Sequence, residues 1–208
     1  MTEINEFDIK ASDWDKNPMH WGRSNAIAGK IVQLIPLKPG FRALEYGAGT
    51  GILSFLLRKH LGEITLMDSS REMIRIIDEK IAATGISKMK TFFFDLEQSD
   101  FRNGKFDFIF SQMVLHHVAD IDNIIAKFSD LLNPGGFLAI ADLYPEDGSF
   151  HGEGFMGHNG FDPDELSEII HQNGFTDISY SECFAVNRKI SDNETKKYPI
   201  FLIIATRE

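Results

Sequence analysis

Four short clusters carry the residues best able to do chemistry. Gly47, Gly49 and Gly51 alternate with Ala48 and Thr50 behind Glu45, in the run A-L-E-Y-G-A-G-T-G. Asp68 and Ser69 close the run E-I-T-L-M-D-S, and Asp95 and Leu96 close M-K-T-F-F-F-D-L. Ser111 and Gln112 close F-D-F-I-F-S-Q, with His116 and His117 just beyond. Glycine at alternate positions lets backbone approach a ligand with no Cβ in the way. Asp68 follows that turn by about 20 residues, the spacing at which a carboxylate accepts from both hydroxyls of a ribose.

The turn is not the dinucleotide fingerprint G-x-G-x-x-G, because its third glycine comes one residue early. Glu45 stands two residues before the first glycine, where it would repel a pyrophosphate and suit a cationic ligand. Asp95 can accept, directly or through water, from the exocyclic amine of an adenine. Acids spread along the site favour a cofactor without phosphate and with positive character. S-adenosylmethionine, with its sulfonium and ammonium, has that character.

The elements that position these residues follow from hydrophobic period. Residues 42–46, 63–68, 89–95, 106–111 and 137–143 read as five strands, separated by helical patterns. Ser69 and Glu72 form a capping box at the start of the helix after the second strand. Ile121, Ile124, Ile125, Phe128, Leu131 and Leu132 make the clearest helical stripe, ended by N-P-G-G. Asp162-Pro163-Asp164-Glu165 is a helix start with N-cap, proline at N1 and acid at N3. Residues 175–184 and 198–206 read as two last strands joined by a polar loop. Alternating strands and helices imply a parallel sheet, and the last pair should be antiparallel. The expected fold class is α/β: a Rossmann-like three-layer sandwich on a seven-stranded, mostly parallel sheet whose last strand is antiparallel.

A single domain over 1–208 is expected. It divides into an N-terminal helical lid (1–40), a cofactor-binding core (41–143), a substrate-side loop (144–161), and a closing helix and strands (162–208). Residues 1–19 read as a loose start before a helix over 20–35, and Trp14, Trp21 and Arg23 are candidates to cover the site. The 208 residues carry a formal net charge of -10. That balance argues against non-specific nucleic-acid binding, which needs Lys and Arg to replace counterions. The single cysteine, Cys183, allows no intrachain disulfide and fits a reducing compartment. No signal peptide is visible and no apolar run approaches the ~20 residues of a membrane span. A cytoplasmic location is the expectation.

The ordered motifs E-Y-G-A-G-T-G, L-M-D-S-S, F-F-D-L, F-D-F-I-F-S-Q-M-V-L-H-H-V and L-L-N-P-G-G-F-L-A-I-A-D resemble those of class I S-adenosylmethionine-dependent methyltransferases. The closest resemblance is to the small-molecule group that includes the ubiquinone and menaquinone biosynthesis type. The resemblance implies methyl transfer to a small-molecule acceptor, with S-adenosylhomocysteine as product. It implies that Gly47, Ala48 and Gly49 hold the methionine portion and ribose through backbone groups. Asp68 would bind the ribose, Ser69 and Met73 would flank the adenine, and Asp95 and Leu96 would contact its amine and ring. Ser111 and Gln112 would line the methionine side. It also implies a last strand inserted between strands five and six.

Methyl transfer from a sulfonium is an in-line displacement in which positioning and desolvation can do much of the catalysis. A general base is needed only where the acceptor must lose a proton. His116, His117, His151 and His158, with Tyr144, are the candidates at the substrate side. The glycine-rich loop holding His151 and His158 is long enough to be a substrate lid. The spacing of the four histidines matches no metal motif, so no metal is expected. Two other readings share the turn: an S-adenosylmethionine-binding regulator without catalysis, and an NAD-linked oxidoreductase, which the glycine spacing and Glu45 disfavour.

Overall fold

The computed structural model describes residues 6–191 and 194–208. Helix α1 (Glu6–Lys10) leads through a 3-10 helix (Ala11–Lys16) to α2 (Pro18–Leu34). The chain then alternates as β1 (Arg42–Tyr46), α3 (Ile52–Leu57), β2 (Glu63–Asp68), α4 (Arg71–Thr84), β3 (Met89–Phe93) and β4 (Phe106–Gln112). After a 3-10 turn (Leu115–His117) come α5 (Ile121–Leu131), β5 (Leu132–Leu143), α6 (Pro163–Gln172), β6 (Phe175–Ser191) and β7 (Glu194–Arg207).

The seven strands form one sheet in the order β3-β2-β1-β4-β5-β7-β6. The pairs among β1 to β5 are parallel. β7 runs antiparallel to both β5 and β6, lying between them as expected. Strand pleat sends alternate side chains to opposite faces. Ala43, Ile64, Leu66, Phe108 and Phe110 pack on one face with Ile27 and Ile31 of α2, Leu53 of α3 and Ile77 of α4. Leu44, Met67, Ile109 and Ile140 pack on the other with Ile124 and Phe128 of α5 and Ile170 of α6. The result is the α/β Rossmann-like sandwich that the strand and helix periods imply.

Three local expectations change, and β5 also begins five residues earlier than expected, at Leu132. Residues 6–16 are helical rather than loose, and Asn17 caps α2 by accepting from the Met19 N–H at 3.0 Å. The cap of α4 is Ser70 and not Ser69: its hydroxyl accepts from Met73 N–H, one position later than the capping box proposed. The polar stretch after Phe184 is strand rather than loop, since β6 and β7 continue as a hairpin ladder to Ser191 and Glu194. Backbone pairing holds that ribbon although its outer half lacks an apolar face. Among the described residues, no helix is long and apolar enough to cross a membrane. Cys183 is half-buried and packs against the core, and burial pushes its thiol up to about 12.

Candidate active site

A cavity of about 720 Å³ opens at the carboxyl ends of the parallel strands, within the range of small-molecule sites. Strand order reverses there, between β1 and β4, which is the crevice where open α/β sheets bind ligands. Gly47, Ala48 and Gly49 form its floor beside Asp68, Ser69 and Met73. Gln112 lines it from β4, His116 and His117 line it from the 3-10 turn that follows, and His151 lines it from the 144–161 loop.

At its first position the turn after β1 admits only glycine. Gly47 lies at φ +65, and a Cβ on it would sit 2.4 Å from Val114 Cγ2. Asp68 stands at the end of β2 and clamps this turn. One of its oxygens accepts the Gly49 N–H at 2.7 Å, and the other accepts the Ser70 N–H at 2.8 Å. Burial nevertheless pushes the Asp68 carboxyl up to about 6, because desolvation outweighs those two bonds.

Glu45 does not line the cavity. It is fully buried, with one carboxyl oxygen accepting from the Ser54 N–H at 3.2 Å and the Ser54 hydroxyl at 2.5 Å. Its other oxygen, Oε1, has no partner. Burial pushes this carboxyl up to about 8, which keeps it protonated at neutral pH and removes the charge expected to face a cation. Its neighbour Tyr46, on the opposite pleat, is the β1 side chain that reaches the cavity.

Asp95, Leu96 and Ser111 also stand behind the wall rather than on it. Asp95 accepts the Glu97 N–H at 2.9 Å, and Glu97 is the acid that lines the cavity from this loop. Leu96 is core, and the Ser111 hydroxyl is buried without a partner. Gln112 is held by the Ser24 hydroxyl, which donates to its Oε1 at 3.0 Å.

The chain leaves β4 through Met113, which adopts φ 57, a backbone conformation costly for a side chain of this kind. That reversal feeds the 3-10 turn carrying His116 and His117. His116 is buried and its Nδ1 lies 2.6 Å from Asp142 Oδ1 on β5. The rings of His116 and His117 are 4.3 Å apart, and His151 lies 5.0 Å from the first and 5.2 Å from the second. Burial lowers His117 to about 4, helped by His116 and His151. Burial lowers His151 to about 4 as well, helped by His116 and Arg188. Both are neutral imidazoles at pH 7. His158 is not among them: its Nε2 bonds the Val118 carbonyl at 3.0 Å, away from the cavity. Three of the four candidate histidines therefore converge.

The loop over 144–161 lies across this cluster. Its His158 N–H donates to the His116 carbonyl at 2.8 Å, and a Cβ on Gly157 would sit 2.1 Å from that oxygen. The chain can pass so close only as glycine. His151 and Phe155 stack at 3.9 Å between ring centres and close the cavity from above.

The N-terminal segment completes the enclosure. Phe7 meets His117 edge-on at 5.2 Å, and Trp14 lines the cavity near Gly49. Two acids hook this segment to the core. Asp8 accepts from the Ser70 hydroxyl at 2.5 Å, and Asp15 accepts from the Thr50 hydroxyl at 2.5 Å and pairs with Lys80. Arg23 of α2 is buried on the cavity wall, and its Nε has no partner. The polar opening of the sequence carries no motif that would have announced Phe7, Asp8 or Asp15. Trp14 and Arg23 were visible as candidates to cover the site, whereas Trp21 is partly exposed and bonds the Asp15 carbonyl instead.

A family model described as a methyltransferase domain matches residues 19–180. The chain belongs to that family. An uncharacterized methyltransferase of Schizosaccharomyces pombe is 31% identical over 166 residues, which is 76% of this chain and 56% of that protein. The chain thus spans little more than half the length of that curated relative. Among solved structures, a chain of a complex that contains the Haloferax volcanii Trm112 methyltransferase activator superposes with a TM-score of 0.77, at 18% identity and 97% coverage of both chains. The N-methyltransferase NodS from Bradyrhizobium japonicum WM9, in complex with S-adenosylhomocysteine, superposes with a TM-score of 0.69, at 17% identity over 93% of this chain and 89% of that one. Such identities speak to fold alone, and the fold is that of class I S-adenosylmethionine-dependent methyltransferases.

Proposed function

We propose that this methyltransferase domain transfers a methyl group from S-adenosylmethionine to a small-molecule acceptor. The observation that carries the reading is the Asp68 clamp on the Gly47–Gly49 turn. It presents a half-buried carboxylate and the Cβ-free backbone of Gly47 and Gly49 to one cavity, and among the described residues no cluster of basic side chains stands at the turn to receive a pyrophosphate. When bound, the cofactor supplies an electrophilic methyl on a sulfonium.

The residues fit its parts. Asp68 keeps lone pairs free for the two ribose hydroxyls. Ser69 and Met73 flank the adenine, and Glu97, rather than Asp95, offers an acid on the wall beside it. Arg23 fits the methionine carboxylate, because a buried guanidinium with an unpartnered Nε calls for an anion. Gln112 lines the same side. Glu45 acts from behind, holding α3 to β1 through Ser54.

The acceptor half is bounded by Phe7, Phe150, Phe155, His117 and His151. Its aromatic walls support a flat or partly apolar acceptor, and we place the chain with the small-molecule group that includes the quinone-biosynthesis type. Closure by the N-terminal segment and the 144–161 loop excludes water, which favours a displacement from a sulfonium. A neutral His117 or His151 can take a proton from a hydroxyl or thiol acceptor.

Two experiments test the reading. Calorimetry with S-adenosylhomocysteine should show saturable binding, and no heat near millimolar concentrations would overturn the cofactor assignment. A panel of phenols, amines, thiols and acids should show acceptor-dependent release of S-adenosylhomocysteine. Binding without release from any class would instead favour a cofactor-binding regulator.

A further inference from the structure

The three converging histidines have a geometry that proton transfer does not require. One ring nitrogen from each of His116, His117 and His151 lies within 4.8 Å of one from the other two. Around a tetrahedral zinc, with Zn–N of about 2.0–2.1 Å, ligand nitrogens sit about 3.4 Å apart. The present separation needs an inward shift on the order of 1 Å. His116 is already oriented as a metal ligand would be. Its Nδ1 donates to buried Asp142, leaving Nε2 as the lone-pair nitrogen, and Asp142 is fixed in turn by the Leu143 N–H at 2.8 Å. This carboxylate–histidine arrangement is the outer support that metal sites use to set tautomer and ring direction. His151 Nε2 is buried with no partner, so one of the three already has a nitrogen lacking a hydrogen bond. Its loop carries Gly148, Gly152 and Gly154 at positive φ around it, and Phe155 stacks on its ring.

We propose that His116, His117 and His151 form a binding site for a borderline divalent cation of the zinc type, with a fourth position open to the acceptor half of the cavity. Three imidazoles with one open position are the donor set of a catalytic rather than a structural site. Of the nearby cations, Lys10 is paired with Glu6 at 2.6 Å and Arg188 is exposed to solvent. Among the described residues lining the cavity Arg23 is the remaining cation, and it feels the charge of Asp142. The site stands on the histidine geometry alone and not on methyl transfer.

The test uses chelator-treated full chain. Cobalt(II) is titrated while visible d–d absorption is read, and zinc is titrated by competition with a chromogenic chelator. One ion per chain with tetrahedral-type cobalt absorption is expected. His117→Ala and His151→Ala should each weaken zinc at least about tenfold, and Asp142→Asn about 10- to 100-fold through loss of ring orientation. His158→Ala, outside the cluster, should leave it unchanged. The two half-exposed histidines serve as the decisive variants if changes at His116 or Asp142 impair folding. No saturable binding below about 100 μM, or equal weakening by His158→Ala and His151→Ala, would overturn the site. S-adenosylhomocysteine titrated into the metal-free protein separates this outcome from failure of the cofactor reading.

Discussion

His116 Nδ1 and Asp142 Oδ1 stand 2.6 Å apart, with both side chains almost wholly buried. The pair ties the 3-10 turn after β4 to the end of β5 across adjacent strands. Removing one partner leaves a buried polar group unmatched. His116→Ala should therefore cost about 3–5 kcal/mol, read as a lower urea midpoint. His117→Ala, which breaks no such pair, should cost less than about 1 kcal/mol.

Asp68→Ala should abolish measurable S-adenosylhomocysteine binding while circular dichroism stays native. Gly47→Val should do the same, because its Cβ meets Val114 at 2.4 Å. Gly85 offers the control. It has nearly the same backbone, φ +66, but nothing within 4 Å of a Cβ. Gly85→Ala should cost about 1 kcal/mol of stability and leave binding unchanged.

Arg23→Gln should weaken S-adenosylhomocysteine by about tenfold or more but leave adenosine, which lacks a carboxylate, bound as before. Equal losses for both ligands in calorimetry would show that Arg23 acts on the shape of the pocket instead.

Cofactor binding should fall with acid. An Asp68 carboxyl raised to about 6 is ionised above that pH and protonates below it. If the ionised form receives the ribose hydroxyls, affinity should drop up to tenfold per pH unit below about 6. Binding that stays flat from pH 7 to 5 would contradict this role.

Glu45 links stability to pH in a definite direction. Its folded value of about 8 lies above the ordinary 4.5, so the folded state keeps a proton that the unfolded state releases. Stability from this group is complete below about 4.5 and declines as pH rises toward 8. Glu45→Gln keeps the acceptor for Ser54 and removes the titration. Its melting temperature should be higher than wild type at pH 8, with a flatter profile between pH 5 and 8.

The strand-turn-helix at residues 42–57, the acid after β2 and the helices at 121–131 and 163–172 were legible in the sequence alone. Each is decided by neighbours within a few positions: apolar period, a glycine that must take positive φ, a capping oxygen. Even the insertion of β7 followed from a resemblance carried by local motifs. What only the tertiary structure decided was direction. Glu45 and Tyr46 are adjacent, so the pleat must send them to opposite faces, and packing chose Tyr46 for the cavity and Glu45 for Ser54. His151 and His158 share one glycine-rich loop, yet only His151 joins His116 and His117, because the backbone crossing at Gly157 turns His158 toward Val118. Phe7 and Asp8 reach the site across more than 60 positions of chain. Local patterns set which elements form and in what order. Contacts between residues far apart in the chain depend on how those elements pack, and no spacing rule encodes them.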